Sequence, residues 1–568
     1  MSEPVERSQP SSGSTWPLLA AVAVVPAAGL ATIWAATEQA DRDAFLAHVL
    51  YWLMPAVLAF VLVCGWRRLR AARPWREQVA DWWPALLSAG VWTALLFWLV
   101  APELRMQLDE THLVSASQNM HEHRLAVITT AGMPGDGAVV PLEQTVDKRP
   151  PLFAFCVSLL HDVGGYRVAN VFLWNGAMLA LALAMLFRAV RARLGVVAAL
   201  AAQSLLLAVP LTVITATSAG FELMASTLLL LVVLAAADFR ERPDDARFAG
   251  LLGAGMLFAH ARYESLPAAL VLLVAIAWSV RGRYRPTRRT ATLLAFVPIL
   301  VTPLVLLMLH ARNPKFYPEA GGQPLLALSH LLEHVGPFLG ELFDPRMLGV
   351  LPGALAIVGA LAFGARLLRR EASALDVFAA LPVLAITGVA LTWFYGDVHE
   401  RTALRLFLPV SWLFALLPLA LVRSFGRRAA FAVLLLGLSL AIWRVPRVAS
   451  GELYPTHRYT AMTRQLDRMM AGVTFDEGKA LWIGVPAPHM LITDRAAMTV
   501  RSLQRASRTI DAALRDGSLR AMFVVTTPFD EGMAGGHGDP RELLQVIPNE
   551  LVAQASEPIP VRVYRLRP

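Results

Sequence analysis

Charge is what this chain has little of. Asp, Glu, Lys and Arg together make up 16% of its 568 residues, while 56% are hydrophobic. Soluble domains carry about 25% charged residues, so this balance excludes an ordinary soluble protein and points to the polytopic membrane class. Lysine is scarcer still, confined to Lys148, Lys315 and Lys479. The glycine-rich run Gly532–Gly538 lacks the Lys-Ser/Thr of a phosphate-binding P-loop and reads as a loop. Cysteine is limited to Cys64 and Cys156, near opposite ends of apolar spans, so neither a disulfide framework nor a cysteine metal site is expected. The N-terminus has no basic stretch of the signal-peptide kind. No Ser-His-Asp arrangement and no internal repeat can be argued.

What is present is a series of apolar runs long enough to cross a bilayer, each needing ~20 residues. The formal charge of +9 comes from arginines in short loops between these runs: Arg67 to Arg76, Arg188 to Arg193, Arg281 to Arg289, Arg366 to Arg370 and Arg423 to Arg428. That is the positive-inside pattern, so the charge sets topology and implies no nucleic acid partner. The fold class expected is an all-α polytopic membrane domain of roughly 13 transmembrane helices with a small C-terminal extracytoplasmic α/β domain. Residues 1–15 read as a disordered cytoplasmic tail and 16–445 as the membrane domain, with external loops at 102–165 and 311–345. In 446–568, strand-like runs at Leu481–Val485, Ala521–Thr526 and Val561–Leu566 alternate with helical ones. Alternation of the arginine loops puts the N-terminus in the cytoplasm and this last domain outside.

The polar stretch Leu108–Leu152 carries the chemistry. Asp109-Glu110 opens it at a membrane edge, where a carboxylate is costly to bury and marks function by default; the alternative is a hydrated pair that ends a helix. Lys148-Arg149-Pro150-Pro151 closes it with cations that would hold an anion or merely anchor in headgroups. Pro150-Pro151 would start an interfacial half-helix over Leu152–Leu160. Glu222 begins a span, favoured there by the helix dipole, or faces the same cavity as Asp109. Arg262 and Glu264, at a membrane turn, either pair together or line that cavity. In the run Asp397–Pro409, His399 is a further binding candidate. Arg405 lies a turn into an apolar helix, where a buried arginine wants an anionic partner. His112, His121, Glu122 and His123 are a loosely spaced metal alternative.

This ordered set resembles the GT-C superfamily of integral membrane glycosyltransferases, in the branch of protein mannosyltransferases, lipid A aminoarabinose transferases and related bacterial enzymes. Asp109-Glu110 is similar to the acidic motif of their first external loop. Arg149-Pro150-Pro151-Leu152 resembles a Lys-Pro-Pro-Leu motif, with Arg149 in the lysine's place and Lys148 one position earlier. Arg262-Tyr263-Glu264 resembles an Arg-Pro-Glu turn, and Arg405-Leu406-Phe407-Leu408-Pro409 a late Arg-Tyr-Leu-Leu-Pro run. Two extra spans precede the motif loop, where the family usually has one helix. The resemblance implies transfer of a hexose or pentose from a polyprenyl-phosphate donor to a lipid, glycan or protein acceptor. This would serve cell-envelope modification at the outer face of a bacterial inner membrane. It implies Asp109 as base, with Glu110 orienting it or the sugar. Lys148, Arg149 and Arg405 would hold phosphate, with Arg262 a further candidate. Glu222, Glu264 and His399 would contact substrate. A divalent cation, Mg or Mn, shared by Asp109 and Glu222 is the one cofactor it allows. A transporter or flippase of a lipid-linked saccharide is the competing reading, because it too needs charges facing a membrane cavity.

Overall fold

The computed structural model describes residues 16–71, 74–105, 107–135, 138–312, 323–371, 373–398, 401–453, 458–471, 479–530, 538–557 and 559–567. The chain begins with three long helices, α1 (Trp16–Ala36), α2 (Gln39–Arg70) and α3 (Trp75–Leu99). Arg67, Arg68 and Arg70 occupy the last turn of α2, where cations complement the carbonyl end of the helix dipole. The polar stretch then folds as α4 (Gln107–Glu122), a hairpin of β1 (Val127–Pro134) and β2 (Val139–Val146), and α5 (Leu152–Gly164). Helix α5 follows Pro150-Pro151, as expected, and ends at Gly165 with φ +76°, a left-handed turn that glycine adopts without strain.

The bundle continues through α6 (Ala169–Leu194), α7 (Val196–Leu207), α8 (Pro210–Ala216), α9 (Glu222–Glu241), α10 (Asp245–Ala259), α11 (Ser265–Ser279) and α12 (Arg288–His310). It closes with α13 (Leu328–Glu341), α14 (Val350–Leu368), α15 (Ala374–Thr392), α16 (Arg401–Leu404), α17 (Leu408–Leu416) and α18 (Leu419–Ala449). Helices α7 and α8 meet at 75°, because Pro210 cannot continue the hydrogen-bond ladder of α7. A Cβ added at Gly437 of α18 would run into Ser204 Oγ of α7, so these two backbones approach as small residues permit in membrane bundles. Gln203, fully buried in α7, accepts from Ser88 Oγ at 2.6 Å and donates to the Leu183 carbonyl at 3.1 Å, tying α3, α6 and α7 together.

Among the described residues, nine helices are long and apolar enough to cross a membrane, or ten if the bent α7–α8 pair is one span. The chain is a multi-pass membrane protein. The expected count of roughly 13 included α1, α10 and α11, which all fold as helices. The latter two have 15 residues each, and the described apolar run of α1 is also short. The region read as external loop 311–345 contains α13, a helix that the expectation did not include.

After α18 come α19 (Arg458–Ala471), β3 (Ala480–Ile483), α20 (Ala487–Leu491), β4 (Ala497–Met498), α21 (Val500–Arg505), α22 (Ser507–Asp516), β5 (Ala521–Thr526), α23 (Pro540–Val546), β6 (Asn549–Ala555) and β7 (Val561–Leu566). The strands form one sheet in the order β4-β3-β5-β7-β6; β4, β3 and β5 are parallel, and β7 and β6 antiparallel. Alternation sends Trp482, Phe523 and Val525 to the α19 side and Leu481, Ile483, Met522 and Val524 to the α22 side, as the period of two requires. Ala131 and Met133 of the hairpin complete the second face. The sheet domain therefore packs on the polar insertion between α3 and α6. Further ties are the Tyr166 hydroxyl on the Ile492 carbonyl at 2.7 Å, Ser502 on Glu143 at 2.8 Å, and the Arg464–Glu103 ion pair.

Candidate active site

Residues from five separate stretches converge where α4 begins. Asp109 sits in the first turn of α4, a position the dipole favours for a carboxylate. Asp147 folds its own loop: Oδ1 accepts from the Arg149 backbone N–H at 3.2 Å and from Arg149 Nη1 at 2.7 Å. The Tyr263 hydroxyl holds this loop by donating to the Lys148 carbonyl. Glu222 opens α9 just after a buried turn. Asn175 Nδ2 gathers that turn by donating to the carbonyls of Thr215, Ser218 and Gly220 at 3.3, 2.7 and 2.8 Å. Gly220 leaves room for the carboxylate, since a Cβ there would collide with Glu222 Oε2. Arg405 lies in a 3₁₀ turn, Arg405–Phe407, between α16 and α17. Pro409 accounts for the break, because its ring excludes the α-helical carbonyl four residues before it.

These side chains form one chain of alternating sign. Asp147 binds Arg149, and Arg149 Nη2 binds Asp109 Oδ1. The other oxygen of Asp109 binds Arg405 Nη2. Arg405 Nε lies 3.3 Å from Glu222 Oε1, which is 3.4 Å from Arg262 Nη1. Arg262 Nε then reaches Glu264 at 2.7 Å, with its guanidinium over the Phe221 ring at 4.7 Å. Four carboxylates and three guanidinia thus share a buried row. Asp109 is the open member: 34% of its side-chain surface is exposed, against 2–11% for the others.

Burial by itself would raise the Asp109 carboxyl. The guanidinia of Arg149 and Arg405, with Lys148 behind them, overcome that and hold it well below the usual carboxylate range. Burial opposes the charge of Arg149, but Asp109 and Asp147 outweigh it and raise that group. His112, three residues along α4 from Asp109, has Nδ1 3.5 Å from Arg149 Nη1. Burial and then the charge of Arg149 push its pKa down to about 4, so it is neutral at physiological pH.

Of the candidates read from the sequence, Asp109, Arg149, Glu222, Arg262, Glu264 and Arg405 come together, and Lys148 borders them. Glu110 takes another place. It is fully buried, and its carboxylate accepts from the backbone N–H groups of Arg105 at 2.5 Å and Ala219 at 3.1 Å. It thereby joins the approach to α4 to the turn before Glu222. His399 lies outside the described residues, as does Glu400. Asp147 and Tyr263 were not singled out. The Asp-x-Arg spacing before Pro150 was the available signal for Asp147, while Tyr263 had none beyond its place between Arg262 and Glu264.

A divalent ion between Asp109 and Glu222 does not fit this arrangement, because the Arg405 guanidinium bridges the two carboxylates. Among the described residues, no group of three or more His, Cys, Asp or Glu stands where it could hold a metal. His121 instead pairs with Asp162 at 2.7 Å.

No protein-family model and no curated protein sequence matches the chain. Solved structures do. ArnT from Cupriavidus metallidurans bound to undecaprenyl phosphate superposes with a TM-score of 0.55 at 13% identity, over 84% of this chain and 97% of that one. Its apo state matches over the same shares with a TM-score of 0.54 at 13% identity. The chain has the GT-C fold. An oligosaccharyltransferase from Archaeoglobus fulgidus, solved with zinc and sulfate, matches with a TM-score of 0.46 at 12% identity, over 84% and 72% of the two chains. At such identities the likeness is one of fold. Within this GT-C fold, the row from Asp147 to Glu264 belongs to the chain's own geometry.

Proposed function

We propose that the protein is a membrane glycosyltransferase. It takes a sugar from a polyprenyl-phosphate donor and passes it, with inversion, to a lipid, glycan or protein acceptor. The reaction serves cell-envelope modification at the outer face of a bacterial inner membrane, with the N-terminus cytoplasmic and the C-terminal domain periplasmic. The observation that carries this reading is the Asp109 carboxylate held between Arg149 and Arg405 at the one open point of a buried charged row. The fold shared with ArnT, solved with undecaprenyl phosphate, supports the same donor class.

Two guanidinia that clamp a carboxylate are equally suited to a phosphate, which both can bind through charge-assisted hydrogen bonds. The donor phosphate takes Arg149 and Arg405, with Lys148 adding charge, and Asp109 is released. Losing those cations returns its proton affinity toward that of an ordinary buried carboxyl. Asp109 then serves as general base. The acceptor oxygen or nitrogen attacks the anomeric carbon and its proton passes to Asp109. The C–O bond to phosphate breaks with its electron pair on the leaving lipid phosphate, whose developing charge the same arginines stabilise. Glu222 and Glu264 hold Arg405 and Arg262 in place throughout.

The deciding experiment uses purified protein in lipid nanodiscs with a panel of radiolabelled undecaprenyl-phosphate sugars and membrane extract as acceptor. Loss of sugar from one donor by wild type, absent in Asp109→Ala, is the expected result. Movement of a saccharide-lipid across liposomes without any release would instead make the protein a transporter.

A further inference from the structure

Helix α13 has two unlike faces. Leu328, Leu332, Val335 and Leu339 form a stripe at spacings of four, three and four, and their exposures are 69%, 73%, 38% and 54%. The opposite face buries His330, His334, Phe338 and Glu341. There, His334 Nδ1 donates to the Leu391 carbonyl at the end of α15, and His330 Nε2 to the Pro324 carbonyl, each at 3.0 Å. With 14 residues the helix is about 21 Å long, too short for a hydrocarbon core of about 30 Å. It lies where α15 ends and α14 begins: Phe343, just beyond its last turn, packs on Gly353 of α14. The two spanning helices it touches also expose apolar side chains, Val350 and Leu351 on α14 and Leu384 on α15. On its inner side, Phe338 packs against Phe407 with ring centroids 4.9 Å apart and planes tilted by 34°, and Phe407 belongs to the same 3₁₀ turn as Arg405.

We propose that α13 is a monotopic helix seated in the lipid leaflet on the active-site side, and that this seating positions Arg405 through the Phe338–Phe407 contact. An amphipathic helix of this kind lies in the interface plane with its apolar face among the acyl chains. Phe338 is then a positioning residue. That second half rests on the reading of Arg405 as a phosphate ligand; the first half does not.

The test has two arms. Nitroxide labels at Leu332→Cys and Glu333→Cys in nanodiscs are probed with oxygen and with a water-soluble nickel chelate. The label at 332 is expected to respond to oxygen and the label at 333 to nickel. A nickel-accessible 332, or spin–spin broadening between copies at 332, overturns the membrane seat. In the second arm, Phe338→Ala is expected to raise the donor KM several-fold with little change in kcat and, because it truncates a buried ring, to lower the thermal midpoint; Phe338→Leu is expected to restore most of the KM. Wild-type KM in Phe338→Ala overturns the coupling. An absence of transfer in wild type itself would overturn the glycosyltransferase reading and the coupling that rests on it, while leaving the labelling result intact.

Discussion

Asp109 and Arg405 lie 296 positions apart in the chain and meet in a direct hydrogen-bonded ion pair. Arg149, on the other oxygen of Asp109, makes the carboxylate a bridge between the polar insertion and the late membrane helices. In the proposed reaction, donor phosphate and Asp109 compete for the same two guanidinia.

That competition has a measurable consequence. Asp109→Asn removes the competing anion, so undecaprenyl phosphate binds more tightly than to wild type, while transfer falls by about 10²–10⁴-fold, the usual contribution of a general base. Binding is read by isothermal titration in nanodiscs and transfer by label release. Weaker binding together with lost transfer would make Asp109 a direct donor ligand instead.

Glu222, 2% exposed, is shared by Arg262 and Arg405. Replacing it by Ala leaves two buried guanidinia without their common acid, and stability falls by about 3–5 kcal/mol, the cost of breaking a buried pair from one side. A large drop in the thermal midpoint in detergent is expected. An unchanged midpoint would place the charge balance elsewhere in the row.

His112 predicts an acid sensitivity. Its folded pKa is about 4, below the ordinary value near 6.5. Between these values the unfolded chain binds a proton that the folded protein does not, so stability falls as pH drops from about 6.5 to about 4. The slope is at most about 1.4 kcal/mol per pH unit. His112→Asn flattens that part of the stability–pH curve, measured as thermal midpoint against pH. An unaltered slope removes His112 from the effect.

Because Arg405 bridges the two carboxylates expected to share a metal, chelation leaves transfer unchanged and added magnesium or manganese does not raise the thermal midpoint. Loss of activity with EDTA, restored by either ion, would mean that donor binding moves Arg405 aside to admit a cation.

The Arg464–Glu103 pair is one of the ties between the sheet domain and the chain around α4. Glu103 also donates its backbone N–H to the Thr217 carbonyl at 3.0 Å, beside the turn that leads to Glu222. Arg464→Ala is expected to increase hydrogen exchange in α4 and to lower transfer, and the swap Glu103→Arg with Arg464→Glu to recover both in part. Unchanged exchange in α4 would confine the pair to the surface.

The sequence by itself determined the apolar helices, because hydrophobic length is a local property: the runs read as spans, from Trp16–Ala36 to Ala429–Trp443, are largely helical, with Leu194–Thr212 broken before Pro210 and Thr402–Val422 broken at the Arg405–Phe407 turn. Proline and charge spacing also marked α5 and most of the charged row as candidates. Only the tertiary structure decided what depends on partners distant in the chain. Helix α4 is mostly polar and reveals its buried face only against β1 and α5. Helix α13 has an apolar stripe that became legible once its other face had neighbours. Glu110 and Asp109 are adjacent carboxylates with no local feature to separate them. Folding turns one toward two backbone N–H groups and the other toward two arginines, and that difference in surroundings, not in residue type, sets what each can do.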